Sequence, residues 1–383
     1  MSDPGSPLDL LFNQLDEEAV QEHKDMRNDT SLLSGINTEL LLEREREYRD
    51  LEKHWVRKNA WLKIAQRIIQ SNREVQVNPG GLRYLTLPAY YRLDVSLLLR
   101  ENLIEVTERA DDGQPAQVYV AAFESDPTKF GRMHGQIPRF KLLGASSIEK
   151  ALVDDKNEYY HQLRELFPFD IVNLDLTTSL TPRNEGPYSQ TMQAVETVFE
   201  LQSARSVPWA LFLTFRNLPS DWERAAKQQL FNNLQDNLHQ FPKVLEAFQK
   251  LYQVHNVEYL TNKNERLCIS QSVAKWIVDR AHHYKFSLDL MEIYFYTRHN
   301  KGLPPYDIYK QVFIFSKNKL NYANIPTRGL PLQTWMEDDI LKCVEKHKCI
   351  DVEMRILKAS EIQHQDIFAS LEQEIDDLCK LIV

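Results

Sequence analysis

The sequence predicts an α/β fold in which a mostly parallel sheet ends in an antiparallel β-hairpin, with helical extensions at both ends of the chain. After the helix breaker Asn78-Pro79-Gly80-Gly81, short apolar runs alternate with helical patterns, as is typical of βαβ units. The apolar run at 169–176 has an acidic residue near its end and precedes a polar loop. This pattern indicates a buried parallel strand that places a carboxylate at a site. Two runs rich in Tyr, Phe and Ile, at 286–298 and 306–317, flank a turn with Gly302, Pro304 and Pro305 and predict the hairpin.

The first predicted element is a long amphipathic helix that starts near Thr38 and ends before the breaker. Its apolar stripe recurs at three-, four- and seven-residue steps and is interrupted by Lys58. The stripe consists of Tyr48, Leu51, Trp55, Leu62, Ala65 and Ile69. We then predict strands at 83–87, 117–123, 140–143, 169–176 and 209–215, and helices at 90–103, 189–204, 221–253 and 270–282.

The C-terminal part predicts a short strand and a final helix. Residues 350–356 alternate apolar and polar with period two, which favours a strand. Phe368, Leu371, Ile375, Leu378 and Ile382 follow at strict a/d spacing. Such a seam must be buried, and we interpret it as a contact for self-association or for a partner protein, with packing on its own domain as the alternative.

Composition shifts predict four segments. Residues 1–36 are acidic and poor in aromatics, and form a flexible tail in which 8–12 is either a docking motif or a patch on its own domain. Residues 37–78 form the N-terminal amphipathic helix, 82–320 the main α/β domain, and 321–383 a C-terminal appendage ending in the heptad helix.

Composition also restricts the function classes. The 383 residues carry a net charge of −9, so no global basic field attracts nucleic acid. One set of basic residues is interpreted either as a local basic surface or as a solvated charged face, and the acidic total favours the solvated face. The members of this set are Arg132, Arg139, Lys141, Lys317 and Lys319. The four cysteines include no C-x-x-C pair, which predicts reduced thiols and no zinc or other metal. We find no signal peptide and no membrane-spanning apolar run, so we expect a cytoplasmic protein without membrane contact.

Five strand–helix units followed by a hairpin whose last strand runs back resemble the class I S-adenosylmethionine-dependent methyltransferases, a Rossmann-like family. The resemblance covers residues 82–317. It implies that the loop after the first strand, at Leu87 and Pro88, approaches the amino-acid part of the cofactor. It implies that an acid after the second strand, Glu124 or the neighbouring Asp126, holds the ribose hydroxyls. It also places Gly144 and Ala145, after the third strand, against adenine.

The segment 173–178 at the end of the fourth strand resembles the amine-methylating motifs of tRNA guanine methyltransferases and amino-group methyltransferases. The resemblance implies that Asn173 and Asp175 act as catalytic residues that orient the methyl acceptor. A structural or helix-capping role and a non-catalytic ligand contact are the alternatives for Asp175. The proline and aromatic residue of those motifs are absent at 174–178, and the loop at 87–91 lacks the glycine that usually allows backbone to approach the cofactor closely.

We therefore expect an S-adenosylmethionine-dependent methyltransferase of bacterial type with an unknown acceptor. The alternative is a non-enzymatic protein that keeps the Rossmann-like fold as a binding or assembly subunit of a bacterial nucleic-acid-processing or defence system. Glu124 and Asp175 favour the enzyme, and the glycine-free loop favours the alternative.

Overall fold

The computed structural model describes eleven stretches of the chain: 51–75, 80–88, 92–106, 117–134, 139–176, 178–183, 188–298, 306–318, 331–345, 350–356 and 367–380. The chain divides into two compact units. The first contains residues 1–147 and 352–383, and the second contains residues 148–351.

The described part of the first unit contains three parallel strands. They are β1 (Tyr84–Thr86), β2 (Gln117–Phe123) and β3 (Arg139–Gly144), with β2 in the middle. Helix α3 (Leu93–Arg100) follows β1, and α4 (Pro127–His134) follows β2. The three predicted strands are confirmed, whereas the helix predicted at 90–103 is shorter at both ends, because Arg92 and Asn102 have positive φ angles of 43° and 55°.

A long N-terminal helix precedes these strands. It consists of α1 (Leu51–Val56), a π-helical turn (Arg57–Trp61) and α2 (Leu62–Glu74). The π turn includes Lys58, where the predicted apolar stripe is interrupted, because the wider turn inserts a residue and shifts the buried face. As a result, Ala60, Trp61 and Ile64 are buried, whereas Trp55 and Leu62 are half-buried. The described part of the predicted helix is confirmed.

Strands of both directions occur in the second unit. Strand β4 (Ile171–Asp175) is parallel to β5 (Trp209–Asn217), and β7 (Tyr306–Lys317) is antiparallel to both β5 and β6 (Phe286–Arg298). Strand β7 therefore runs back between β5 and β6. The two predicted hairpin strands are confirmed to the residue. A short strand, β8 (Ile350–Asp351), lies parallel to β6.

The α-helices in the described part of the second unit are α5 to α11. Their bounds are α5 (Ile148–Val153), α6 (Tyr160–Leu166), α7 (Gln190–Gln202), α8 (Arg224–Gln240), α9 (Pro242–Tyr252), α10 (Val257–His283) and α11 (Pro331–Glu345). Asn264 has non-helical angles and breaks α10 into two pieces. An aromatic cluster anchors the core, since Trp209 contacts Phe199, Phe286 and Phe315 at ring-centroid distances of 5.2 to 5.6 Å.

The chain ends in the first unit with α12, at residues 352–356, and α13 (Ile367–Lys380). The strand predicted at 350–356 is therefore wrong after Asp351. Val352 and Ile356 are fully buried and four residues apart, which fits one face of a helix as well as alternation fits a strand.

The C-terminal seam packs within the first unit. Ile375 and Leu378 form a buried cluster with Leu93 and Leu97 of α3, and Leu51 and Leu62 pack against it. Leu371 is also buried. The alternative of packing on its own domain therefore accounts for these three seam residues, and a partner contact through them would require α13 to undock. The side chain of Phe368, and Ile382, lie outside the described residues.

Several expectations concern residues outside the described stretches, namely the tail at 1–36, the start of the N-terminal helix and the hairpin turn. The predicted domain boundaries stay predictions. Within the described stretches, no helix combines the length and apolar character needed to cross a membrane.

Candidate functional site

The carboxyl ends of β1, β2 and β3 meet at one edge of the first unit. Phe123 is in register with Gly144, and the backbone N–H of Glu124 donates to the carbonyl of Gly144 at 3.1 Å. Leu87 and Pro88 follow β1 at the same edge. The structure thus places at one edge the residues to which the resemblance assigns the amino-acid part, the ribose and the adenine of the cofactor. Their roles as ligands stay predictions.

The two acids after β2 have different local roles. Asp126 Oδ1 accepts from the N–H groups of Thr128 and Lys129 at 2.8 and 3.2 Å, so Asp126 caps the N-terminus of α4. Oε1 of the half-buried Glu124 accepts from the N–H of Asp126 at 2.8 Å. A carboxylate offers about four acceptor positions, so Glu124 retains capacity for a diol after this bond.

The loop after β1 differs from a glycine-rich cradle. Pro88 is buried and Leu87 is half-buried, and Ala89 to Tyr91 lie outside the described residues. Gly81 precedes the strand instead, where its φ of +139° and a Cβ position 2.5 Å from the backbone N of Glu105 require glycine. This glycine therefore serves backbone packing before β1.

A buried polar network lies behind this edge, and sequence reasoning missed it. Oδ2 of Asp94, in the first turn of α3, accepts from Tyr84 Oη at 2.8 Å and from Thr86 Oγ1 at 2.7 Å. Tyr84 and Thr86 are two residues apart on β1, so both side chains face α3. The guanidinium of Arg92 donates to the carbonyl of Met133 at 2.5 Å and lies 4.1 Å from the ring centre of Phe140. These bonds fix the position of α3 relative to the strands of its unit.

Asn173 and Asp175 belong to the second unit and face the same side of β4. Asp175 is in register with Thr214 on β5, and Thr214 is in register with Lys310 on β7. The ammonium of Lys310 donates to Thr214 Oγ1 at 3.2 Å and lies 3.5 Å from Asp175 Oδ1. We call Asp175, Thr214 and Lys310 the polar row.

The side chains of the polar row are almost completely shielded from solvent. Lys310 is 1% exposed and Thr214 3%, whereas the side chain of Asp175 is 10% exposed. A buried ammonium is costly unless a charge and hydrogen bonds compensate it, and the row supplies both. The aromatic ring of Tyr296 lies 6.0 Å from the Lys310 nitrogen and adds a weak cation–π contact. In the polar row, the carboxylate of Asp175 is therefore partly accessible to solvent, and the ammonium of Lys310 beside it is buried.

Asp175 was predicted from the sequence as a site residue, and Lys310 was not. A lysine inside a run of Tyr, Ile and Phe was the available signal, because a charged residue on the buried face of a strand requires a partner.

Residues suited to other chemistry serve local packing. Cys268 and Cys343 are buried free thiols, and burial raises the pKa of both, that of Cys268 to about 11. Lys317, a member of the predicted basic surface, donates to the carbonyl of Ser203 at 2.5 Å and lies 4.8 Å from the ring centre of Phe286. Across the described part of the chain, no three His, Cys, Asp or Glu side chains form a group suited to a metal ion.

A cleft of about 1200 Å³ lies in the second unit, beyond the carboxyl end of β5. Its walls come from α8, from the turn at Pro219–Asp221 and from the first piece of α10. The loop after β4 is tied to this turn, because the Glu223 N–H donates to the carbonyl of Thr181 at 2.8 Å. This cleft was not predicted from the sequence.

These elements define a mixed α/β protein with mostly parallel strand pairs. Residues 135–375 match the PP_RS20740-like family, and since this is more than half of the chain, the protein belongs to that family. The matched segment includes the polar row and the cleft, whereas Leu87, Pro88, Glu124 and Asp126 precede it. No curated protein matches the chain.

Proposed function

We propose that the protein is a Rossmann-like, S-adenosylmethionine-dependent methyltransferase. The observation that carries the proposal is the convergence of Leu87, Pro88, Glu124 and Gly144 at the carboxyl edge of three parallel strands, since ligands of such sheets bind at that edge. The strand order of the second unit gives support as well, because β7 runs back between β5 and β6 as the resemblance implies.

The residues at this edge fit two parts of the cofactor. The Glu124 carboxylate keeps acceptor positions for the ribose diol, and exposed Ala145 after buried Gly144 has a side chain small enough for an adenine ring to approach closely. Asp126 is already used as a helix cap, so Glu124 is the proposed ribose ligand of the two. When bound, the cofactor supplies an electrophilic methyl group.

Asp175 is the proposed catalytic residue. Its carboxylate accepts a hydrogen bond from an N–H or O–H of the acceptor, which orients the acceptor's lone pair and receives the departing proton. Lys310 lies 3.5 Å from the carboxylate and donates to Thr214 Oγ1 at 3.2 Å, so the ammonium is fixed beside Asp175. Asn173 lies two residues before Asp175 on the same face of β4 and is almost fully buried, so we propose that it supports Asp175.

Calorimetric titration of the full-length protein with S-adenosylmethionine and S-adenosylhomocysteine tests the proposal. We expect saturable binding, and we expect Glu124→Ala to weaken it by about 1.5–3 kcal/mol, the usual contribution of a charged hydrogen bond. Glu165→Ala, an exposed acid on α6, is the matched control and should bind like the parent. Absence of heat and of a thermal shift at millimolar ligand would contradict the proposal.

The second candidate is a non-enzymatic binding or assembly subunit, whose partner is a further copy of the chain or another protein. Its support is the loop after β1, in which Pro88 is buried and glycine is absent, together with the use of Asp126 as a cap. The same titration separates the candidates, because a folded protein without cofactor affinity fits only this second one.

A further inference from the structure

We propose that the cleft along α8 binds an extended peptide segment that carries an acidic residue near one end. This site is separate from the proposed cofactor residues and does not depend on methyl transfer. The proposal rests on the size, the polar walls and the charge distribution of the cleft.

The size of the cleft suits a chain better than a compact metabolite. Small-molecule pockets usually have volumes of about 300–1,000 Å³, and this cleft has about 1200 Å³. Its lining extends along α8 from Arg224 to His239, which is about 22 Å at 1.5 Å per residue. An extended peptide of about six or seven residues spans that length.

The walls of the cleft carry paired donors and acceptors. Five amide side chains line it, namely Gln228, Asn232, Gln235, Asn256 and Asn262. Part of their capacity is used within the protein, since Gln228 donates to Asn232 at 3.0 Å, Gln235 lies 2.8 Å from His239 Nε2 and Asn256 accepts from the N–H of Tyr259 at 2.9 Å. An amide both donates and accepts, so the remaining donors and acceptors match the alternating N–H and C=O groups of an extended backbone. Gln228, Asn232 and Gln235 lie at four- and three-residue steps on α8 and therefore share one face. Apolar Trp222, Phe231 and Val257 are buried beneath them.

Two contacts connect the helices that border the cleft. Lys227 on α8 pairs with Glu265 at 2.6 Å, and Gln235 accepts from the N–H of Val257 at 2.9 Å. Between these contacts, Asn232 and Asn262 are exposed, one on each wall. The walls are thus fixed before a ligand arrives, which lowers the ordering cost of binding.

The charges disfavour a nucleic acid and polarise the cleft. Three bases are balanced by three acids, Glu223, Glu258 and Glu265, so a phosphodiester chain gains little net attraction. Exposed Arg183 and Arg224 lie at the end where α8 begins. Glu223 at this end caps the helix through the N–H of Ala226 at 2.7 Å and offsets one of the two arginines, so this end of the cleft stays net positive. An acidic residue of the peptide therefore belongs at this end.

Selection from a pooled library of linear seven-residue peptides, blocked at both termini, tests the proposal. The full-length protein is equilibrated with the pool, the bound fraction is sequenced by mass spectrometry, and the most enriched peptide is titrated by fluorescence anisotropy. We expect enriched peptides to contain Asp or Glu near one end. Replacing that residue by its amide should weaken binding about tenfold or more, as for a lost charged hydrogen bond.

Matched variants locate the binding. Asn232→Ala/Asn262→Ala should weaken the selected peptide several-fold, because each exposed amide loses its bonds to the backbone. Gln229→Ala/Gln240→Ala, which removes exposed amides of α8 that do not line the cleft, should bind as the parent does. Arg224→Gln should reduce the preference for the acidic peptide over its amide, since only Arg183 then remains at this end. Circular dichroism checks that each variant is folded.

Three outcomes would overturn the proposal. They are no enrichment over the unselected pool, equal affinity for the parent and for Asn232→Ala/Asn262→Ala, and displacement of the peptide by a seven-nucleotide oligo-dT at lower concentration than by unlabelled peptide. The last outcome would assign the cleft to single-stranded nucleic acid.

Discussion

The ammonium nitrogen of Lys310 lies 3.5 Å from Oδ1 of Asp175 in the second unit, with Thr214 in register between them. The two residues come from strands that are distant in the sequence and opposite in direction. Because Lys310 is 1% exposed, its charge is compensated within the protein rather than by water. The relationship gives Asp175 a structural role beside the proposed catalytic one.

A double-mutant cycle on this pair should show strong coupling. Asp175→Asn leaves the ammonium buried without its acid, and we expect it to lower the free energy of unfolding by about 3–5 kcal/mol. Asp175→Asn/Lys310→Met replaces the pair by neutral groups and should recover much of that loss. Urea unfolding measures all four proteins. Additive effects of the two single substitutions would contradict a direct interaction.

Removal of buried seam residues from α13 should destabilise the chain without changing its mass in solution. Leu378→Ala empties a site packed against Leu93 and Leu97, so we expect a loss of about 2–5 kcal/mol in urea unfolding. Glu372→Ala, exposed on the same helix, is the control. Light scattering that shows a smaller mass for Leu378→Ala, at unchanged stability, would instead support the partner contact predicted from the sequence.

The docking of α13 should weaken in acid. Glu374 lies 3.5 Å from His54 and accepts from Arg100 at 2.5 Å and from Lys58 at 2.8 Å, and these contacts hold its pKa well below the usual 4.5. Burial lowers the pKa of His54 below 6.5. Below pH 6.5 the unfolded chain binds a proton at His54 more readily than the folded chain does, and below pH 4.5 the same holds for Glu374.

We therefore expect the urea midpoint to fall as the pH drops below 6.5 and to fall further below 4.5. His54→Phe should flatten the first part of the decline and Glu374→Gln the second. Glu372→Gln should leave both parts unchanged, since its side chain is exposed. If the urea midpoint of both His54→Phe and Glu374→Gln depended on pH as that of the parent does, this cluster would not govern stability in acid.

Cys268 and Cys343 should resist alkylation in the folded protein. Burial raises the pKa of Cys268 to about 11 and also raises that of Cys343, so at pH 7.5 hardly any reactive thiolate exists, and reagent access is blocked. Treatment with N-ethylmaleimide followed by peptide mapping measures this. Both cysteines should be modified only after addition of denaturant, and rapid labelling of either one in buffer would contradict its burial.

Local patterns determined the elements of this protein. Period-two and continuous apolar runs located β1 to β7, because β-branched and aromatic side chains bury well on a pleated surface, and the hairpin strands at 286–298 and 306–317 were predicted to the residue. The same patterns misread 352–356, where Val352 and Ile356 satisfy either period. Acids at strand ends were found for the same local reason, since Glu124 and Asp175 each terminate an apolar run.

Only the tertiary structure decided which side chains meet. The pairing of Asp175 with Lys310 depends on β7 lying beside β5, and the bond of Asp94 to Tyr84 and Thr86 depends on how α3 folds back on β1. Packing also decided that Leu371, Ile375 and Leu378 bury against their own unit, and it created the cleft along α8. A periodic seam shows that a face must be buried but carries no information about its partner, because the hydrophobic effect depends on the area removed from water and not on what covers it.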